Sequence, residues 1–273
     1  MALVAQNPSP MVEKTRAHER VADVPWEGAV HKIPHVVERE VELYVPAELP
    51  VDFDLWIHFH GAAFVVRHAL REIAQPLAGA VVNMGVGSAA YERPFASVGV
   101  FADLLAAIRV RAGVWNRLYL SGFSAGYGAL RAILNDDAMA DIVDGVLVLD
   151  GLHTGYEPEG RALALGGILE GRELAPFRRF AQRAAVGDKC MLLTHSEVFP
   201  GTFASTTETA DYLVEQMQLQ RRAVLAWGPL GMQQLSDVQR GRLRMMGYAG
   251  NSAPDHMDHL HASFFFAAAL LGL

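Results

Sequence analysis

The chain has 273 residues, of which 51% are hydrophobic, and this is enough to form the core of one large α/β domain or two small ones. A formal net charge of −7, with no conspicuous basic patch, argues against binding to duplex nucleic acid or to an anionic membrane surface. The single cysteine, Cys190, excludes an internal disulfide, and its apolar surroundings predict a buried structural thiol.

No apolar segment is long enough to cross a membrane. The longest, residues 264–273, has about half of the roughly 20 residues that a bilayer requires. The N-terminal residues lack a basic segment followed by a full apolar segment, so no signal peptide is predicted in the chain as given. We therefore expect a soluble protein without a membrane span. Its compartment stays open, including a secreted or periplasmic one if a leader was removed.

The predicted elements alternate between strands and helices. Residues 1–30 are polar and proline-punctuated, and they predict an N-terminal arm ahead of one domain at 31–273. Strands are predicted at 36–45, 52–61, 79–86, 117–123, 145–150, 190–195, 222–228 and 242–250. Helices are predicted at 68–75, 98–113, 125–136, 205–217 and 257–271, with a further helical stretch in an insertion at about 152–188. This order predicts an α/β fold with a mostly parallel central sheet flanked by helices.

One predicted strand end carries a serine between two glycines. Gly122-Phe123-Ser124-Ala125-Gly126 separates the strand at 117–123 from the helix at 125–136. A sharp turn there would lift the serine hydroxyl clear of the backbone, and side chains two positions either side would collide, which explains both glycines. The first N–H groups of the helix would stabilise a developing oxyanion. The motif predicts a nucleophile, and the plainer interpretation is a glycine-rich turn with a capping serine.

With this motif in its strand–turn–helix setting, the chain resembles the α/β-hydrolase superfamily of serine esterases and lipases from about residue 36 to the end. The resemblance implies an oxyanion loop after an early strand. His60-Gly61 closes the strand at 52–61, and Ala62 follows it. The backbone N–H groups of Ala62 and Ala125 would then be the two donors. Lipases of this superfamily have the sequence HGGG here, whereas in this chain two alanines follow Gly61. A backbone N–H donor tolerates this difference, because no side chain takes part. His58 and His60 are interpreted as residues that fix this loop by bonding to backbone.

The resemblance also implies the chain order serine, acid, histidine. His256 matches the first histidine of His-x-x-His-Leu near the C-terminus, with His259 as its substitute. The acid must hold the imidazole tautomer. Glu197 follows the strand at 190–195, and Asp150 ends the strand at 145–150, so both stay candidates, with Glu197 slightly preferred. Glu208 is set aside because it completes a predicted capping box with Ser205.

Two segments are expected to border the cleft. One is the loop at 85–97, with Tyr91, and the other is the insertion at 152–188, with His153, which could form a lid. Tyr91 and His153 are predicted to bind substrate, and their mixed polar and aromatic character favours a short-chain, aryl or sugar-linked ester, either a small molecule or polymer-linked. This chemistry requires no cofactor and no metal. The acyl and alcohol groups, transfer to acceptors other than water, and the oligomeric state stay open.

Two other functions compete with the serine hydrolase. A metal-dependent hydrolase could use His58 and His60 together with His256, His259 and His261, since imidazoles suit zinc. A non-catalytic, hydrolase-like binding protein is the second alternative, although the chain keeps serine, histidine and acid candidates.

Overall fold

The computed structural model describes residues 20–273, which divide into two compact units. The first unit comprises Val21–Leu147 and Ser263–Leu273. The second unit comprises Val148–Ala262 together with Arg20. The chain passes from the first unit to the second within a single strand, Gly145–Leu149.

Strands and helices alternate in the middle of the chain, as the sequence predicts, whereas 28–59 and 222–248 each hold three strands without an α-helix between them. The strands Gly28–Ile33 and Gln233–Arg240 were not predicted. The strands are β1 (Gly28–Ile33), β2 (Val41–Pro46), β3 (Asp54–Phe59), β4 (Leu77–Val82), β5 (Leu118–Phe123), β6 (Gly145–Leu149), β7 (Tyr156–Glu157), β8 (Ile168–Leu169), β9 (Cys190–His195), β10 (Arg222–Trp227), β11 (Gln233–Arg240) and β12 (Leu243–Tyr248). The helices are α1 (Ala63–Glu72), α2 (Ser88–Phe95), α3 (Val100–Ala112), α4 (Tyr127–Asn135), α5 (Asp137–Ile142), α6 (Gly171–Ala185), α7 (Thr206–Gln216), α8 (Ala253–His261) and α9 (Ser263–Leu271).

The strands of the first unit run in the order β1-β2-β4-β3-β5. β3 is parallel to both β4 and β5, whereas β2 is antiparallel to its two neighbours. Every residue of β3, β4 and β5 is buried, as expected for parallel strands covered on both faces. The pairing of Phe59 with Gly122 sets the carboxyl ends of β3 and β5 side by side. The two loops that follow these strands therefore begin at the same edge of the sheet.

Helix packing in the first unit corrects the prediction of a cleft-lining loop at 85–97. This segment contains α2, which packs on α4, and both Tyr91 and Phe95 are buried. A Cβ atom at Gly128 would lie 2.3 Å from the Ser88 carbonyl oxygen, so glycine permits the close approach of the two helices. The apolar pattern was too short to predict this helix. α1 packs on β4 and on α9.

The second unit has the strand order β9-β12-β11-β10, with β9 and β12 parallel and the outer pairs antiparallel. β9 is buried throughout, and Cys190 at its start is 2% exposed, which confirms the buried thiol. α6 packs on β9 and β12. Ser205 and Glu208 form the predicted capping box at the start of α7, which confirms the local role given to Glu208.

Several predicted boundaries are wrong. Residues 1–19 of the arm at 1–30 lie outside the described residues, and its last residues belong to β1, which pairs with β2. The helix at 257–271 is two helices, α8 and α9, with a break at Ala262. The insertion at 152–188 contains a helix, α6, as predicted, and this helix packs on β9 and β12. A lid formed by the segment that carries β7 and β8 stays a prediction.

The fold class is α/β, with a mostly parallel central sheet flanked by helices, in agreement with the prediction. Between residues 20 and 273, no helix combines the length and the apolar character that crossing a membrane demands.

Candidate active site

Ser124 lies on a sharp strand-to-helix turn in the first unit. β5 ends at Phe123, and a 3-10 turn over Ser124–Gly126 leads directly into α4. The φ angle of Ser124 is 45°, in the left-handed region that costs a non-glycine residue roughly 1–3 kcal/mol. Ser124 is partly exposed, although the residues on both sides of the turn are buried. The turn therefore presents the hydroxyl-bearing residue at the surface of an otherwise packed region.

The two glycines of the motif are required by close backbone contacts. A Cβ atom at Gly126 would lie 2.1 Å from the carbonyl oxygen of Phe59, at the end of the neighbouring strand β3. A Cβ atom at Gly122 would lie 2.9 Å from the carbonyl carbon of Gly126. Both distances are shorter than any real Cβ contact with backbone. The expectation that side chains would collide at positions 122 and 126 is confirmed.

The loops after β3 and β5 each hold one backbone N–H group suited to an oxyanion. Ala62 directly precedes α1, and Ala125 lies in the turn that starts the helical segment running into α4. The first N–H groups of a helix have no acceptor within the helix. The N–H groups of Ala62 and Ala125 are therefore of the kind that can bind a negatively charged oxygen.

The His58 ring fixes the loop after β3 by bonding to backbone, as predicted, whereas the His60 ring bonds to the Tyr91 hydroxyl. His58 is fully buried, and its Nε2 lies 2.7 Å from the His60 carbonyl oxygen, to which it donates. Its Nδ1 accepts from the Ser121 hydroxyl at 2.7 Å, and Ser121 in turn accepts from the Trp56 indole N–H. Burial lowers the pKa of His58 to about 4, so the ring is neutral at pH 7. Both ring nitrogens are occupied by structural hydrogen bonds.

Tyr91 is predicted to bind substrate, but the structure places it in the core. It is fully buried, and its hydroxyl oxygen lies 2.7 Å from His60 Nδ1. The same hydroxyl accepts from the Met84 N–H and donates to the Gly85 carbonyl, each at 3.1 Å. The prediction assumed that 85–97 was a loop, whereas α2 turns the tyrosine inward. Tyr91 instead joins the segment after β4 to the loop after β3.

In the second unit, Asp150 and His256 form a hydrogen-bonded pair. Asp150 directly follows β6, has a φ angle of 39° and is 1% exposed. Its Oδ2 lies 2.7 Å from Nδ1 of His256, which lies near the start of α8 and has a side chain 25% exposed. The bond to the carboxylate places the ring proton on Nδ1. The neutral ring then carries its lone pair on Nε2.

Three further donors hold the Asp150 carboxylate. The Ser196 N–H donates to Oδ1 at 2.8 Å, and the Ser196 hydroxyl donates to Oδ2 at 2.7 Å. The Thr206 hydroxyl donates to Oδ1 at 2.6 Å. Burial alone would raise the pKa of Asp150, but the neighbouring His259 and His256 rings and these hydrogen bonds hold it well below its usual range. Asp150 is therefore a carboxylate at any physiological pH.

Glu197, the slightly preferred acid, is not the residue that contacts His256. The Glu197 residue is exposed, and its backbone N–H donates to the Gly250 carbonyl. The chain turns outward after β9, so the inward-facing position falls on Ser196. Of the two carboxylate candidates, the structure brings only Asp150 to the histidine.

His259 and His261 are both buried, in the last turn of α8. His259 Nδ1 lies 2.8 Å from the Thr194 hydroxyl, and its Nε2 lies 4.0 Å from Asp150 Oδ2. Burial lowers the pKa of His259 to about 4. His259 therefore lies behind the carboxylate as a neutral ring, and His256 is the more exposed of the two.

His153, the other predicted substrate-binding residue, begins the segment after β6. Its Nδ1 donates to the Ala204 carbonyl at 2.8 Å, and its ring packs edge-on against Phe203, 5.0 Å between centroids. Burial lowers its pKa. His153 and Phe203 are both partly exposed, so a role in substrate binding stays a prediction.

No family model and no curated protein sequence matches the chain. Solved structures do resemble it, and one is esterase B from Lactobacillus rhamnosis (HN001), with a TM-score of 0.50, 10% identity, and coverage of 93% of this chain and 89% of that one. The chain has the α/β-hydrolase fold.

Other structures with similar folds include two further esterases. Acetyl xylan esterase from Aspergillus awamori has a TM-score of 0.48 at 11% identity, covering 88% of this chain and 100% of that one. A cold-adapted esterase from an Arctic intertidal metagenomic library has a TM-score of 0.49 at 12% identity, covering 92% of this chain and 98% of that one.

Within the part of the chain that the structure describes, the histidines that a metal-dependent hydrolase would use are not grouped around a metal site. Among residues 20–273, no group of three or more histidine, cysteine, aspartate or glutamate side chains is arranged to hold a metal ion. Both nitrogens of His58 are already hydrogen-bonded, as described above. The metal-dependent alternative therefore gains no support from the described residues.

Sequence reasoning missed three polar residues around this chemistry. Asn83 hydrogen-bonds the loop after β3, whereas Ser196 and Thr206 hydrogen-bond Asp150. Asn83 breaks an apolar run just where β4 ends, and Ser196 directly follows β9. A search for polar residues at strand ends would have found these two. Thr206 gave no such signal, because it lies in the first turn of a helix.

Proposed function

We propose that this protein is a serine-dependent hydrolase of carboxylic esters that forms an acyl-enzyme on Ser124. His256 acts first as a general base and then as a general acid. Asp150 orients the imidazole and stabilises its protonated form. The Ala62 and Ala125 N–H groups bind the oxyanion.

In the first half-reaction, Ser124 Oγ attacks the ester carbonyl carbon and its proton moves to His256 Nε2. The carbonyl oxygen becomes an oxyanion bound by the two backbone N–H groups. The intermediate then collapses, the bond to the alcohol oxygen breaks, and the alcohol leaves with the proton from His256. The product is the acyl ester of Ser124.

In the second half-reaction, water attacks the acyl-enzyme and gives one proton to His256 Nε2. The second oxyanion collapses with release of the carboxylic acid, and the proton returns to Ser124 Oγ. Asp150 stays ionised throughout, since its hydrogen bonds favour the charged form. No cofactor enters these steps.

The observation that carries the proposal is the left-handed backbone of Ser124, with φ at 45°. A serine is rarely held in this conformation unless the surrounding structure enforces it, and such strain is concentrated at functional sites. Here the enforcing contacts are the backbone of β3 against Gly126 and the tight turn at Gly122. The Asp150–His256 pair supplies an oriented base with a buried, ionised partner.

We propose a short-chain, aryl or sugar-linked ester as the substrate, either a small molecule or polymer-linked. The supporting feature is the mixed polar and aromatic character of His153 and Phe203 in the second unit. A panel of p-nitrophenyl esters with acyl chains of increasing length, together with acetylated sugars, would rank these classes.

The decisive assay compares wild type with Ser124→Ala on that panel, with Ser97→Ala as the matched control, because Ser97 is exposed. We expect Ser124→Ala to lose turnover by on the order of 10⁶-fold, to background, and Ser97→Ala to retain it. Turnover that persists in Ser124→Ala would refute the acyl-enzyme. Loss of wild-type turnover with a chelator, without labelling of Ser124 by a fluorophosphonate, would favour the metal-dependent alternative. Absence of any turnover would favour a binding protein.

A further inference from the structure

A single side chain, Asn83, satisfies both backbone polar groups of Gly61. The Gly61 N–H donates to Asn83 Oδ1 at 3.0 Å, and Asn83 Nδ2 donates to the Gly61 carbonyl oxygen at 2.8 Å. Asn83 directly follows β4, and β4 pairs in parallel with β3, which leads into the loop that contains Gly61. The amide therefore holds that loop from the neighbouring strand.

This contact fixes the direction of the Ala62 N–H. The Gly61 carbonyl and the Ala62 N–H belong to one peptide group, which is planar and trans, so they point in opposite directions. Because the carbonyl is drawn toward Asn83, the N–H is directed away from it. Gly61 has a φ angle of 129°, and glycine rotates more freely than any other residue. Without a partner on the carbonyl, this peptide group could reorient at little cost.

The preceding peptide group is fixed as well. The His60 carbonyl accepts from His58 Nε2, and the N–H at the other end of that group is the one bound by Asn83. The His60 ring donates from Nδ1 to the Tyr91 hydroxyl. With one donated and two accepted bonds, that hydroxyl has its full complement of partners. Two successive peptide groups are thus held by His58 on β3 and by Asn83 after β4, and Tyr91 on α2 holds the ring of the intervening His60.

We propose that Asn83 is a positioning residue that aims the Ala62 N–H at the oxyanion, and that Tyr91 supports it by fixing His60. The inference rests on the proposed function. It assigns Tyr91 a role in catalysis through the backbone, in place of the substrate contact that the sequence predicted.

The test uses the full-length protein and four variants. Asn83→Ala removes both bonds to Gly61, and Tyr91→Phe removes one oxygen atom while keeping the ring. Gln75→Ala is the matched control for the amide, since Gln75 bonds Asp54 at the opposite end of β3. Tyr44→Phe is the control for the phenol, since Tyr44 is a buried tyrosine whose hydroxyl bonds Glu42. Each is assayed for kcat, KM, thermal unfolding and affinity for an aryl boronic acid.

We expect kcat to fall by about 10- to 100-fold in Asn83→Ala and by about tenfold in Tyr91→Phe, less than the 10²–10³ that loss of a donor costs. KM should stay within about threefold, because the oxyanion contact strengthens in the transition state. Boronate affinity should fall in step with kcat, because the boronate places a charged oxygen in the same position. Both controls should stay within about twofold of wild type in kcat and in boronate affinity.

Folded Asn83 and Tyr91 variants with wild-type kcat and wild-type boronate affinity would overturn the inference, as would a rise in KM alone. If Asn83→Ala does not fold, Asn83→Asp decides the matter. It keeps an acceptor for the Gly61 N–H but cannot donate to the Gly61 carbonyl, so its kcat must fall if the inference holds. Failure of the proposed function itself is distinguishable, because wild type would then show no turnover, or Ser124→Ala would keep the turnover of wild type.

Discussion

The two units hold their reactive residues by different physical means. In the first unit, Ser124 and Ala62 are placed by close backbone packing and by fixed peptide groups. Gly126 lies against the β3 backbone and Gly122 lies against Gly126, while Asn83 and His58 hydrogen-bond the peptide groups before Ala62. In the second unit, Asp150 is placed by charge, with hydroxyl and imidazole groups gathered around a buried carboxylate. Close packing fixes the direction in which the Ser124 residue and the Ala62 N–H point. The charges and hydrogen bonds around Asp150 keep its carboxyl group ionised. The proposed reaction needs both.

Of the variants that compare the two units, the variant of the Asp150 carboxylate in the second unit should change kcat most. Asp150→Asn should lower kcat by on the order of 10⁴-fold, because the amide favours the wrong imidazole tautomer and cannot stabilise the protonated ring. Glu197→Gln should change kcat by less than about threefold, because this residue is exposed. Steady-state kinetics on one ester decide the matter. Equal losses in the two variants, or a larger loss in Glu197→Gln, would reverse the assignment of the acid.

The steric side is tested by Gly126→Ala. A methyl group 2.1 Å from the Phe59 carbonyl cannot be accommodated without moving backbone, so we expect a loss of about 3 kcal/mol or more in unfolding free energy and a misplaced Ser124. Gly155→Ala is the control, since its methyl would meet only the end of the Glu170 side chain at 3.3 Å. Urea denaturation compares them. A stable, active Gly126→Ala protein would show that packing does not enforce the turn.

Smaller effects are expected from the hydroxyl groups around Asp150. Thr206→Val removes one hydrogen bond to a buried carboxylate while keeping the side-chain shape. Such bonds contribute about 1.5–3 kcal/mol, so the unfolding free energy should fall by that amount. The more exposed Thr202→Val provides the comparison. Equal stability of the two variants would mean that the remaining hydrogen-bond donors are enough to stabilise the charged Asp150 carboxylate.

The smallest expected effect is on the pH dependence of stability, and it comes from one buried histidine in each unit. His58 and His259 have their pKa lowered by burial to about 4, whereas the unfolded chain takes up protons near pH 6.5. Their contribution to stability is therefore complete above about pH 6.5 and declines as the pH falls toward 4, by about 1.4 kcal/mol per pH unit for each ring. Denaturation at pH 7, 6 and 5 measures this slope, and His259→Gln should reduce it. A flat profile would contradict the neutral, buried assignment.

The sequence predicts the site of the first unit better than the site of the second unit. The Ser124 turn is contiguous, and the steric demand at Gly122 and Gly126 can be argued from five residues. The loop-fixing role of His58 was also predictable, because it lies two residues from the carbonyl that it bonds. Which of the two candidate carboxylates contacts His256 was not predictable, because Asp150 and His256 are 106 positions apart. Which carboxylate reaches the ring depends on where the chain turns after each strand.

Tyr91 illustrates a second limit. Its segment has eight helical residues and a proline near the end of the helix, a pattern too weak to distinguish α2 from a loop. A loop at 85–97 would place the tyrosine at the surface. Packing of α2 on α4 turned it toward the core instead. Long-range packing decided its role.

The most direct test of the central claim is the site and rate of labelling by a fluorophosphonate, measured by intact-mass and peptide mass spectrometry. The acyl-enzyme mechanism predicts one adduct per chain, located on Ser124, with a labelling rate that falls by orders of magnitude in His256→Ala. A protein that stays unlabelled while hydrolysing esters, an adduct on another residue, or a labelling rate indifferent to His256 would contradict it.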